Sequence, residues 1–416
     1  MKIYFTVYLI PVVVIALLVF WLALRRQERA KLVFITLVSV GALAVLNPVF
    51  AAIAVGLVLI VHQLVALKRR GRLSGGRVVL LIVLIGVVTL AIGKYGQRGA
   101  MAVWGDDDWI VARLIMPLGI SYFVFRLLQY VFDCMRGVIQ ENSFLRLIAF
   151  VLFIPTFPAG PLETYQGFYE KRSYHFDRQL FYLGLRRIAL GYFKKVFVVD
   201  FLFSIFFQGI TDAVRVQHPE WHTMNQLWPL AYVIIVFVRA YFDLSAYTDL
   251  AIGFSALFGF RIMENFHLPF LQKNLSDFWR SWHISLSTWC RNNVYFPVFG
   301  LTRKVWLGLY ASMLTMGLWH FVDLQWFAWG LYHGTGLVVF SRWERWKKKR
   351  RKARKKAGKP PAAGYERFIG WIGYPATFLY VALGYAFVSS VTFQHALALF
   401  SNALIGPILW LAGHPL

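Results

Sequence analysis

Residues 276–289 read SDFWRSWHISLSTW, one histidine among three tryptophans, an arginine and five hydroxyls. A second concentration, TMGLWHFVDLQWFAWGLYHG at 315–334, carries His320, Asp323 and His333 in an otherwise apolar run. Imidazole, with an unperturbed pKa of about 6.5, is the side chain suited to taking a proton from a hydroxyl near neutral pH. A third stretch, YFDLSAYTDLAIGF at 241–254, holds Asp243, Ser245, Tyr247, Thr248 and Asp249. Carboxylates in an apolar helix are costly, so they face a cavity or a cation. Arg239, Arg280 and Arg291 are the expected cations.

Spacing suggests how these groups are carried. Ser276 can cap a helix whose first turn holds Asp277, both favourable at an N-terminus. On that helix Trp279, Trp282 and His283 fall at i, i+3 and i+4 and share one face, which Ser287 extends, while Ser281 and Ser285 point away. Taken alone, this pattern also fits an amphipathic helix lying at a membrane interface, where tryptophan is favoured. His320 is expected within an apolar helix, with Asp323 one turn on. His283, His320 and Asp323 lack a helix-periodic pair such as H-x-x-x-H, so no metal is expected. The two cysteines, Cys134 and Cys290, support neither a disulfide framework nor a metal signature, and read as small apolar fillers.

The elements that position these groups are apolar. Among 416 residues only 15% are charged, and mean hydropathy is +0.58. Apolar runs of spanning length recur at 8–24, 31–46, 50–67, 78–93, 109–132, 227–241, 371–386 and 396–411. A bilayer core takes roughly 20 residues per helix. The expected fold is an all-α polytopic membrane protein with about ten to twelve membrane-embedded helices. The first segment lacks a basic start and a small-residue cleavage site, and reads as an uncleaved helix. IPTFPAGPLETY at 154–165 places three prolines and Glu163 at apparent membrane depth. Non-helical backbone there must be buried in protein or line a wet cavity, so this segment is expected to be broken or re-entrant.

The net charge of +25 is clustered. Residues 342–359, RWERWKKKRRKARKKAGK, contain twelve Lys or Arg and one Glu, and smaller clusters lie at 25–31 and 68–77. Basic loops stay cytoplasmic, so the hairpin between the smaller clusters puts both on one side. The N-terminus and the acidic WGDDDW at 104–109 are then outside. The basic run suits anionic lipid, and it could steer a soluble acidic partner. No nucleic-acid motif accompanies it, so nucleic acid is not an expected partner.

MPLGIS (116–121), FIPTFPAGPLETY, GLRRIALGYFKKVFVVD (184–200), YFDLSAYTDLAIGF, NFHLPFLQKNLSDFWRSWHISLSTW and MGLWH follow one another over residues 110–340. That order resembles the membrane-bound O-acyltransferase (MBOAT) family, and within it the bacterial group of D-alanyl transfer and alginate O-acetylation proteins. The resemblance implies a helical ring around a central funnel. It divides the chain into N-terminal helices (1–108), a catalytic core (109–341), a basic loop and linker (342–364) and C-terminal helices (365–416).

The resemblance further implies that His320 is the catalytic base and His283 the second characteristic polar position. Trp279, Trp282, Trp289 and Trp319 would line the funnel with Ser285, Ser287, Asp243, Tyr247, Asp249 and Glu163. Arg280 and Arg291 would meet phosphates or carboxylates. Phe321 and Asn292 depart from the family pattern, where relatives often have a glycine or polar residue and an aspartate. The implied activity is transfer of a D-alanyl or acetyl-like group to a hydroxyl of an extracytoplasmic glycan or polymer. No cofactor is bound: the donor is a thioester on an acidic acyl carrier protein or coenzyme A, reached from the cytoplasm. A partner acyltransferase outside the membrane could take part. The alternative is a transport or scaffold subunit that hands the acyl group to a separate catalyst.

Overall fold

The computed structural model describes residues 9–25, 27–104, 119–205, 207, 226–358 and 363–412. Residues 105–109 of the acidic loop, 116–118 of MPLGIS and 359–362 of the linker lie outside them. Helices dominate, and among the described residues the one β-bridge pairs Phe266 with Trp282. Among the described residues six helices are long and apolar enough to cross a membrane: 28–46, 48–69, 75–96, 228–257, 367–389 and 393–411. The expectation of an all-α polytopic protein is met. Contacts cluster the chain into two units, Met1–Tyr192 with Ala246–Glu264, and Phe193–Ser245 with Asn265–Leu416.

The first unit begins with α1 (Leu9–Leu18), α2 (Glu28–Leu46) and α3 (Pro48–Arg69). Only Asn47 separates α2 from α3. Its Oδ1 accepts from the Phe50 N–H at 2.9 Å, and Pro48 occupies the first helical position, where an N–H has no partner to lose. This tight turn returns the basic end of α3 to the basic start of α2. Then follow α4 (Gly75–Trp104), α5 (Ile120–Met135), α6 (Phe144–Val151), α7 (Tyr165–Glu170) and α8 (Arg178–Tyr192). An aromatic core fills the unit. Phe260 stacks on Phe168 at 4.5 Å and meets Phe153 at 4.8 Å.

The proline segment is broken, as expected, and it is buried in protein. A short 3₁₀ turn at Ile154–Thr156 follows α6. The buried Arg126 guanidinium donates to the carbonyls of Val151 at 3.2 Å and Thr156 at 2.8 Å. Ser39 Oγ accepts from the Ile154 N–H at 3.2 Å. These bonds replace the helical ones that three prolines remove.

The second unit contains α10 (Leu275–Ser281), α11 (Ile284–Cys290), α12 (Phe296–Thr302), α13 (Val305–Leu318), α14 (Leu324–Lys356), α15 (Ala363–Ser389) and α16 (Phe393–Leu411). The 30-residue α9 (Trp228–Leu257) contributes residues 228–245 here and residues 246–257 to the first unit. Phe237, fully buried, is the hub of the core, with Tyr385, Phe270, Trp282 and Phe378 at 5.1–5.4 Å. α13 packs along α14, α14 along α15, and α15 along α16.

Candidate functional site

His283 does not sit within a helix. α10 ends at Ser281, Trp282 is extended, and His283 adopts a left-handed conformation with φ 44° before α11 begins. The N-cap of α10 is Asn274, whose side chain accepts from the Asp277 N–H at 2.9 Å, and not Ser276. The shared helical face expected for Trp279, Trp282 and His283 therefore does not exist.

The physical reason lies upstream, in the loop 265–267. His267 N–H donates to Ser281 O and Ile284 N–H donates to Asn265 O, each at 2.9 Å. Asn265, itself fully buried, accepts with its Oδ1 from the Ser285 N–H at 3.2 Å and from Ser285 Oγ at 2.6 Å. An extended segment thus takes the hydrogen bonds that a continuing helix would have used, and the chain reverses at His283. A non-glycine residue with positive φ is uncommon and costs on the order of 1–3 kcal/mol, sustained only where surroundings over-determine it. Strain of this kind concentrates at functional sites. His283 is buried, outside the six spanning helices, and desolvation lowers its pKa to about 4, so the ring is neutral at physiological pH.

His320 is likewise at a junction and not within a helix. α13 ends at Leu318, Trp319 caps it, and the His320 N–H donates to Gly317 O at 3.0 Å in a final tight turn. Asp323 caps α14 by accepting from the Trp326 N–H at 2.8 Å. Gly317 allows this close connection, because a Cβ there would lie 2.4 Å from Trp326 O. His320 is half-buried, and its ring lies 4.0 Å from both Trp319 and Trp326, stacked on the latter at 14°.

The two histidine turns belong to one set of packed helices. α10 packs on α14 and α11 packs on α13, so the helices flanking His283 rest against those flanking His320. A ladder of rings links them: Trp326 meets Trp329 at 5.9 Å, and Trp329 meets Trp279 at 5.7 Å. Trp279 also meets His333 at 5.2 Å. His333 is buried, and neither of its ring nitrogens nor Trp279 Nε1 has a hydrogen-bond partner among the described residues.

Other expected residues fall elsewhere. Trp279, Trp282 and Trp289 are buried, so this segment is not an interfacial helix lying on the surface. Trp282 stacks on Phe278 at 5.6 Å inside the Phe237 core. Ser287 Oγ donates to Trp282 O at 3.1 Å. Arg280 is exposed and pairs with Asp277 at 3.1 Å, while Arg291 is exposed beside Asn292. Cys290 is buried, and desolvation pushes its thiol up to about 12.

The carboxylate partners differ from those expected. In the second unit Asp243 pairs with Lys195 at 2.9 Å. In the first unit Asp249, buried, pairs with Arg187, which also reaches Glu264. Tyr247 packs there with Ala159 and Leu250. Glu163, also buried, accepts from the Thr164 N–H at 3.1 Å and the Met263 N–H at 2.9 Å, with Lys171 at 3.6 Å. Asn265, Trp326 and Arg187 do not stand out in the sequence as site residues. Arg187 has a signal, a cation in GLRR ahead of two carboxylates. Asn265 heads the NFHLPFLQKN stretch, but nothing there marks it for a role.

A multi-pass helical membrane protein with two histidines at reversals of packed helices is the class this geometry defines. The model of the MBOAT, membrane-bound O-acyltransferase family, matches residues 77–383, and the chain belongs to that family. It is 33% identical over 280 residues to the probable alginate O-acetylase AlgI of Pseudomonas syringae pv. tomato, covering 63% of this chain and 51% of that protein. It is 30% identical over 297 residues to the teichoic acid D-alanyltransferase of Bacillus subtilis, covering 68% of this chain and 71% of that protein. A peptidoglycan O-acetyltransferase of Helicobacter pylori is 31% identical over 259 residues. The chain spans about half the length of the alginate O-acetylases it matches.

Proposed function

We propose that this protein is an O-acyltransferase that moves a D-alanyl or acetyl-like group from a thioester donor to a hydroxyl of an extracytoplasmic glycan or polymer. The observation that carries the reading is the half-buried His320, fixed between two indole rings at a helix junction. An accessible imidazole held in one orientation is what general-base catalysis requires.

In the proposed reaction His320 takes the proton of the acceptor hydroxyl as its oxygen attacks the acyl carbon. The C–O bond forms, the C–S bond breaks, and the thiolate leaves with the proton returned by the imidazolium. His283, neutral and rigidly placed, positions the acceptor or donates to the developing oxyanion. Direct transfer is preferred to an acyl-enzyme. A thiol at about 12 is protonated at neutral pH, which disfavours Cys290 as a nucleophile. The hydroxyls of Ser285 and Ser287 are already donated, to Asn265 and to the Trp282 carbonyl.

The donor is proposed to enter from the cytoplasm, carried by an acidic carrier protein or coenzyme A, with the acceptor outside. In this reading the chain sits in the cell membrane with its N-terminus outside, and a partner acyltransferase acts on the outer face. The test is purified protein in lipid nanodiscs with an acyl thioester and a soluble glycan acceptor. Release of free thiol that depends on the acceptor and on His320 supports the reading. With the protein in sealed liposomes, acyl passage into the lumen without ester formation would make the chain a transport subunit.

A further inference from the structure

Between α14 and α15, within the second unit, lies a cavity of about 670 Å³ whose lining includes neither histidine turn. Its α14 wall is one helical face, graded in composition. Val339, Phe340 and Trp343 come first, followed by Glu344, Lys347 and Arg351, in steps of three and four residues. The opposing wall on α15 includes Gly370, Gly373 and Ala376 between Ile369 and Tyr380, and Lys273 also lines the cavity.

The inner end is packed shut. A Cβ at Gly336 would lie 2.4 Å from the Tyr380 hydroxyl and 2.7 Å from Leu275. Tyr380 is fixed there, because its hydroxyl donates to Tyr332 O at 2.6 Å and the two rings stack at 4.3 Å. Toward the cationic end the cavity is open: a Cβ at Gly370 would meet nothing within 4 Å. At that end Lys347 and Arg351 line the cavity with Glu344, which pairs with Lys347 at 2.5 Å, and the Lys273 ammonium lies 5.4 Å from the centre of the Tyr374 ring. Among the lining residues these three cations stand beside one carboxylate.

We propose that this cavity binds one anionic glycerophospholipid, with its phosphate at Lys273, Lys347 and Arg351 and an acyl chain along Val339, Phe340, Gly370 and Ala376. A groove that is apolar at one end and cationic at the other complements an amphiphile with a negative head. Guanidinium and ammonium groups hold phosphate oxygens by charge-assisted hydrogen bonds. A choline headgroup places its own cation against the same rim and is disfavoured. A thioester donor is also anionic, but it must deliver its acyl carbon to a hydroxyl. A cavity packed shut at Gly336 suits a ligand that stays.

The test is native mass spectrometry of the full chain in detergent, titrated with phosphatidylglycerol, phosphatidylcholine or an acyl-coenzyme A. One phosphatidylglycerol is expected per chain, bound about tenfold tighter than phosphatidylcholine, a preference of about 1.4 kcal/mol. Gly370→Leu fills the open space, and the double variant Lys347→Gln/Arg351→Gln removes the rim charge. Each is expected to weaken phosphatidylglycerol binding about tenfold. The rim variant changes the exposed Arg351 and the partly exposed Lys347 and adds no bulk, so the test remains decisive if Gly370→Leu fails to fold. Equal binding of the two lipids, unchanged binding in the rim variant, or displacement of phosphatidylglycerol by equimolar acyl-coenzyme A would each overturn the proposal.

Discussion

Asn265 and Ser285 share one oxygen: Asn265 Oδ1 accepts both the backbone N–H and the hydroxyl of Ser285, at 3.2 and 2.6 Å. The pair fixes the start of α11, two residues after His283, and so holds the reversal that places that ring. Asn265→Ala leaves two buried donors without a partner, at a cost of about 1–3 kcal/mol each. The expected outcome is a lowered unfolding midpoint together with a rise in acceptor KM. Asn265→Asp keeps the acceptor and should restore KM. An unchanged KM in the alanine variant would show that the His283 reversal does not depend on this bond.

His320→Ala is expected to reduce acyl transfer by roughly 10²–10⁴ in kcat, the usual share of a general base. The fold should survive, since the ring is half-buried and stands at a helix junction. Trp326→Ala removes the stacked face of the imidazole and should lower kcat while leaving donor KM unchanged. His283→Gln, neutral like the ring it replaces, should impair turnover without altering the pH profile between about pH 6 and 8, because burial already holds His283 uncharged there. Thiol release followed across that range checks all three variants, and near-normal turnover in His320→Ala would remove it as the base.

Long apolar runs and clustered basic residues specify spanning helices, because a bilayer accepts little else, and that much of the fold is legible in the amino-acid sequence. The histidines stand out there too, because polar rings in an apolar chain are costly. The backbone at both is not legible. Continuous 3.6-residue periodicity through WRSWH and GLWHFVD suggests unbroken helices, yet the chain reverses at His283 and His320. At His283 the competing hydrogen bonds come from Asn265 and His267, fourteen to twenty residues away, and no local pattern signals them. The cations expected for Asp243 and Asp249 are the wrong ones for the same reason. Charge neutralisation is set by three-dimensional proximity, and Lys195 and Arg187 lie about fifty to sixty residues upstream.

Gly317 is the one position of MGLWH where a side chain has no room. Gly317→Ala would drive a Cβ into Trp326 O, with 2.4 Å available, and separate the ends of α13 and α14. Overpacking of this kind costs typically about 1–3 kcal/mol. The expected result is a moderate loss of thermal stability and a larger loss of turnover, because Trp326 carries the stacked His320. Turnover falling only in proportion to the folded fraction would uncouple the glycine from the site.

Asp249 and Arg187 test whether the polar residues of α9 serve structure. Asp249 is 2% exposed. Removing it leaves Arg187 with Glu264 alone, and breaking a buried pair from one side is typically destabilising by about 3–5 kcal/mol. Asp249→Ala should therefore lower the unfolding midpoint sharply. Arg280→Ala, an exposed partner of Asp277, should hardly move it. Thermal unfolding of the two variants in the same detergent checks the contrast. A stable Asp249→Ala that has lost turnover would instead assign the carboxylate to the chemistry.

The basic end of α14 allows its two faces to be tested apart. Lys347 and Arg351 line the cavity, whereas Lys348, Lys349 and Lys352 are exposed on the other faces of the helix. A soluble acidic carrier would meet the exposed faces, and attraction between opposite charges raises association rates in a salt-dependent way. Replacing Lys348, Lys349 and Lys352 by glutamine should raise the KM for a carrier-bound donor and flatten its response to salt. Maximal turnover should stay unchanged, since the His320 junction is untouched. The same variant should retain phosphatidylglycerol as the parent does, because the cavity rim keeps its charges. Carrier kinetics and salt response identical to the parent would confine these lysines to membrane orientation and lipid contact, and would exclude docking on this face.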